Sequence, residues 1–188
     1  MKTEKRKQAG AKRTPSEMLR DKLKLGELYE ASMANSDSLL RSAMLLEGNG
    51  YYAQGFFLAL TAWEEIGKAQ VVADYSEDCV SRDEFDKAFR KHSLKMAYLS
   101  RKVELTTNGK TVTDATITYD IDRGRELAEW REHALYVSLG QGLDSFSPNS
   151  QISDKQCKNI IREVEEYTAY LRHMEHVTER IGIKSLTK

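Results

Sequence analysis

Glu64-Glu65-Ile66-Gly67-Lys68 is the stretch of this chain best placed to do chemistry. Residues three and four apart share a helix face, so Lys68 is expected against both Glu64 and Glu65. The stretch lies in the most apolar segment, where Phe56, Ala59, Leu60, Trp63, Ile66, Gly67 and Val71 cover most of a helix circumference. Unpaired charge in such surroundings costs on the order of several kcal/mol. Two acids against one base leave a positive charge to be supplied from elsewhere, and arginine suits a buried carboxylate best. Arg131 meets that need: it stands beside Trp130, four residues after Leu127, at the border of an apolar face. A guanidinium there can fork onto a carboxylate or a phosphate. The plain alternative is a strip of acids that meets water.

His92 adds proton chemistry. It falls in the series Phe85, Phe89, His92, Met96, Leu99 and Val103, spaced four and three apart, and Arg90, Lys91 and Lys95 flank it. A histidine titrates near neutrality and gives or takes one proton, while nearby cations hold a phosphate. The competing reading is a core histidine satisfied by one hydrogen bond.

Other constellations fail. A di-iron bundle needs a glutamate three residues before a histidine, and those positions hold Phe89, Trp130, Tyr170 and His173. His173 and His176 share a face, yet no acid or cysteine at ligand spacing completes a metal site. Gly48-Asn49-Gly50 lacks the strand and lysine of a phosphate loop. No metal and no cofactor are expected.

Long helices must position these residues, because no proline falls between Pro15 and Pro148. Thr14-Pro15-Ser16-Glu17 opens the first, which runs to about Glu47 and stops at Gly48-Asn49-Gly50. The second spans about Tyr51 to Tyr75 and belongs in the centre of a bundle. Ser81-Arg82-Asp83-Glu84 is a capping box that opens the third, continuous through Val103. Threonines between Thr106 and Tyr119, with Asn108-Gly109, predict a short β-hairpin or extended loop. A fourth helix covers about Asp122 to Leu139. Ser153-Asp154-Lys155-Gln156 caps a fifth, whose apolar seam includes Cys157, Ile160, Val164, Tyr167 and Leu171. The expected fold is all-α: an up-and-down bundle of about five helices with an insertion near 106–119.

The chain has 188 residues, 40% apolar and 31% charged, which suits one soluble domain over 14–188. Residues 1–13 hold Lys2, Lys5, Arg6, Lys7, Lys12 and Arg13 against Glu4, a basic tail expected to be disordered. Cys79 and Cys157 are too few for a disulfide framework and read as reduced thiols. No export signal is expected, since no apolar run follows the N-terminal charges. Gln54, Glu64, Glu65 and Lys68 interrupt the longest apolar stretch, which argues against a membrane span. The expected location is the cytoplasm.

With these residues in view, the chain resembles the AbiV abortive-infection family of HEPN-like helical domains. The resemblance runs from about Ser38 to Glu166: Leu45-Leu46-Glu47, Tyr52-Ala53, Glu64 to Lys68, Phe89-Arg90-Lys91-His92 with Lys95, Trp130 to Val137, Pro148 and Ile152-Ser153. It implies a bacterial protein that stops phage multiplication, with infection ending in a shutdown of translation. It further implies a homodimer, RNA as substrate, a phage-encoded trigger and metal-independent cleavage by an arginine and a histidine. The usual spacing of that pair is absent, since Tyr136, Val137 and Ser138 stand where a histidine would follow Arg131. A rebuilt site would use His92, Arg131 and Arg90 for catalysis. Lys95, Lys68 and Tyr136 would hold substrate, with Glu64 and Glu65 orienting. The alternative is a non-catalytic helical module that binds a phage or host protein.

Overall fold

Asn49 and its two glycines end the first helix where the sequence places its stop. Helix α1 (Lys22–Gly48) closes through Gly50 N–H to the Glu47 carbonyl at 2.9 Å and Tyr51 N–H to the Leu46 carbonyl at 2.9 Å. Helix α2 (Tyr52–Ser76) then starts at once and packs along α1. This computed structural model describes residues 22–99, 101–108, 111–135, 138–139, 145–146 and 148–180, with side chains for 24–99, 120–135, 148 and 150–173. The tail 1–13, the Thr14-Pro15 helix start, Tyr136 and the His176 side chain lie outside the described residues.

Helix α2 is the axis of the fold. Ala59, Leu60, Ala62, Ile66, Ala69, Val71 and Val72 are wholly buried, as an all-round apolar helix requires. Around it stand α1, α3 (Arg82–Arg90), α4 (His92–Tyr98), α5 (Ile121–Leu135), the short α6 (Pro148–Gln151) and α7 (Asp154–Arg180). The fold is all-α. Both capping boxes form: Ser81 Oγ accepts from Glu84 N–H while Ser81 N–H donates to Glu84, and Ser153 with Gln156 does the same.

One helix of the sequence reading is two. The expected run from Ser81 to Val103 breaks at Lys91, whose backbone is extended at φ −115° and ψ 119°. No proline or glycine causes this. Packing does: the break turns α4 so that Met96, Ala97 and Tyr98 sink against the core, which offsets the lost helical bonds. It also lifts His92 out of the seam, so its expected core position is corrected. The fourth helix is described over Ile121–Leu135, and residues 136 and 137 of the expected run to Leu139 lie outside the described residues. Between α4 and α5 the backbone of Arg101–Asn108 runs antiparallel to Thr111–Tyr119.

The two thiols differ sharply. Cys79 is exposed, while Cys157 is buried at the start of α7. Burial, reinforced by the charges of Glu47 and Asp154 and only partly opposed by Lys158, pushes the Cys157 thiol up to about 11. Since thiolate is the reacting form, native protein at pH 8 is expected to take up iodoacetamide at Cys79 alone. Cys157 should follow only after denaturation. Equal labelling rates in mass spectra of the native protein would refute this.

Candidate functional site

Gly67 lets α4 cross α2 at backbone contact. A Cβ at that position would lie 1.9 Å from the Lys95 carbonyl oxygen, so only glycine leaves room. Gly124 does the same for α5, where a Cβ would stand 2.3 Å from the Ser93 carbonyl oxygen. Trp63 pins the crossing by donating its Nε1–H to the Met96 carbonyl at 3.2 Å. Three helices are thereby drawn together around one side chain of α2.

That side chain is Glu64. His92 Nδ1 lies 2.8 Å from both of its oxygens. Lys95 Nζ lies 2.8 Å from Oε1, and Arg131 Nη1 approaches Oε2 to 3.9 Å. The Glu64 and Lys95 side chains are each 8% exposed and Arg131 18%, whereas His92 is 57% exposed. Burial opposes ionisation of Glu64, but the hydrogen bonds and charges of Lys95 and His92 outweigh it and hold the carboxyl below its usual range. Glu64 is thus an anion at neutral pH and accepts from the ring N–H at Nδ1. In the neutral ring this fixes the tautomer in which Nδ1 carries the proton and the outer nitrogen, Nε2, the lone pair.

The sequence reading paired Lys68 with both acids; the structure divides them. Among the described residues, Lys68 Nζ grips Glu65 and not Glu64, at 2.6 and 2.7 Å to its two oxygens. Glu64 turns instead to α4 and α5. The missing cation is therefore met twice over, by Lys95 and by Arg131, and the Lys95 ammonium also donates to the Phe89 carbonyl at 3.4 Å. Arg90 is exposed at the end of α3 and is not among the cations around Glu64. Of the candidate residues, then, the structure brings Glu64, His92, Lys95 and Arg131 together. It sets Glu65 with Lys68 apart as their own pair.

Sequence reasoning missed Phe57. Its half-buried ring lies under the Arg131 guanidinium, 5.3 Å from ring centroid to Cζ. Phe57 stands seven residues, two helical turns, before Glu64, and that spacing was the one available signal. Arg131 also comes within 3.9 Å of the exposed Glu132. Among the described residues no three His, Cys, Asp or Glu side chains are grouped to hold a metal, and no helix is long and apolar enough to cross a membrane.

Comparison with known families finds one whose description is AbiV, of the HEPN class, matching residues 24–169. The match takes in α1 through most of α7 and every residue of the cluster. Neither the curated proteins nor the solved structures contain a match.

Proposed function

The chain belongs to the AbiV family of HEPN domains, an abortive-infection family of phage defence, and on that basis we propose that it shuts down translation in infected cells by cutting RNA at the His92 cluster. The observation that carries this reading is the hydrogen bond between His92 Nδ1 and the buried Glu64 carboxylate, with the ring otherwise turned to solvent. A buried acid behind an exposed histidine orients the ring and supports charge on it, as in other acid–base sites. Nε2 takes the proton of a ribose 2′-hydroxyl as that oxygen attacks the adjacent phosphorus. The bond from phosphorus to the 5′-oxygen breaks, and the leaving oxygen receives the proton. The products are a 2′,3′-cyclic phosphate and a 5′-hydroxyl. Arg131 meets the charge that develops on the phosphoryl oxygens.

Lys95 enters differently from its expected role. Buried against Glu64, it keeps the carboxylate in place instead of reaching substrate. Homodimerisation, a phage-encoded trigger and a cytoplasmic location belong to this reading as proposals, the first supported by HEPN membership.

The test is RNA end chemistry. Purified protein, supplied with extract of phage-infected cells, should yield fragments ending in 2′,3′-cyclic phosphate. His92→Ala should lower the yield by about 10²-fold to 10⁴-fold and remove phage protection with the fold intact, because the ring is mostly exposed. Undiminished cleavage in a folded His92→Ala protein sinks the mechanism. A second reading is favoured by the charge on Glu64 being already met by Lys95. In it the cluster only fixes helix register and the chain acts by binding a phage or host protein. Retained protection in a folded His92→Ala, Arg131→Ala double variant would support it.

A further inference from the structure

The Arg131 guanidinium forms long ion pairs with two carboxylates and hydrogen-bonds to neither. Its Nη1 stops 3.9 Å from Glu64 Oε2 and 3.9 Å from Glu132 Oε1, beyond hydrogen-bond reach. Its Nε–H is buried and, among the described residues, has no hydrogen-bond partner. An arginine this close to a buried carboxylate normally closes into a two-bond fork, and an unpaired buried donor is costly. Something opposes the collapse. The contact present is the ring of Phe57, which lies under the guanidinium and attracts its charge through the π-face.

We propose that Phe57 is the positioning residue of this site: its ring holds Arg131 off Glu64 and keeps the guanidinium open to a phosphate group of an RNA chain. The inference rests on the reading of the cluster as an RNA site, and adds which residue makes the arginine available. Without the ring, Arg131 falls the remaining ångström onto Glu64 and its charge is spent internally. Losing the aromatic face should therefore weaken anion binding while leaving the helix packing in place. A purely structural Phe57 would do the reverse.

Inorganic phosphate titrated into the full chain, followed by the ¹⁵N-coupled Arg131 Nε–H resonance, tests this. In the wild type that resonance should shift and saturate. Phe57→Leu should weaken phosphate binding about tenfold and Phe57→Tyr, which keeps the face, by less than about twofold. The Trp63 Nε1–H resonance, bonded to Met96, should not move in either. Phe57→Met, unbranched and without a ring, serves if the leucine variant does not fold. A 2′-O-methylated tetranucleotide, which cannot be cut, should displace the phosphate. Wild-type affinity in the ringless variants, a motionless Arg131 signal, or a tetranucleotide that fails to displace phosphate would each overturn the proposal. Phosphate binding through Arg131 without any RNA cleavage would instead defeat the ribonuclease reading and leave the positioning role standing.

Discussion

Replacing Glu64 by glutamine is expected to lower unfolding stability by about 3–5 kcal/mol, the cost of breaking a buried ion pair from one side. Lys95 is the reason. Its side chain is 8% exposed, and without the carboxylate's charge its ammonium is left with neutral acceptors, among the described residues the Phe89 carbonyl at 3.4 Å, and with Arg131 as a like-charged neighbour. Exchanging both partners should behave differently: Glu64→Gln with Lys95→Met removes the stranded charge, and most of the lost stability should return. Urea unfolding of the wild type, each single variant and the double variant measures the coupling directly. A Glu64→Gln protein within about 1 kcal/mol of wild type would mean that water already reaches the cluster. The acid dependence has a definite sign. Glu64 has a depressed pKa in the folded state, so its contribution is complete above the ordinary glutamate value that it has when unfolded. It is lost as pH falls through the lower folded value. Wild-type stability should therefore fall more steeply below that point than stability of the double variant.

Gly67→Ala is the second substitution with a large consequence, and its sign is the informative part. In a helix interior alanine normally gains about 1 kcal/mol over glycine. Here the new methyl would sit 1.9 Å from the Lys95 carbonyl oxygen and 2.8 Å from its carbon. Backbone cannot swing aside as a side-chain tip does, so α4 must lift from α2. We expect a loss of about 3 kcal/mol, at the upper end of overpacking costs, together with loss of the His92–Glu64 bond. The imidazole ¹⁵N shifts of His92 should then match those of a free histidine. Gly48→Ala is the control, because nothing lies within 4 Å of a Cβ there. Equal stability of the two alanine variants would show that α4 does not approach as closely as described.

The helices were largely legible in the residues. Apolar periodicity and the two capping boxes state local facts, and local facts survive folding: α2 sits at the centre because it is apolar all round, and α3 and α7 start where Ser81 and Ser153 cap them. The site was legible by residue type. Glu64, His92 and Arg131 were recognisable as charges sitting in or beside apolar faces, and burial forces such charges to find partners.

Which partners they find was not legible. Glu65 and Glu64 are adjacent and equivalent by spacing to Lys68, yet Lys68 holds one and α4 takes the other. The choice follows from the rotation of α2 in the bundle, which no window of sequence contains. The break at Lys91 is of the same kind. Periodicity from Phe85 to Leu99 fits one continuous helix, and it is packing that favours two: the burial of Met96, Ala97 and Tyr98 and the close passage of Lys95 over Gly67. The sequence by itself determined the helices, their caps and the stock of charges, since these depend on neighbours within a turn or two. The tertiary structure decided the exposure of His92, the burial of Lys95 and the place of Phe57 under Arg131. Those depend on contacts between residues far apart in the chain, where packing energy outweighs local preference.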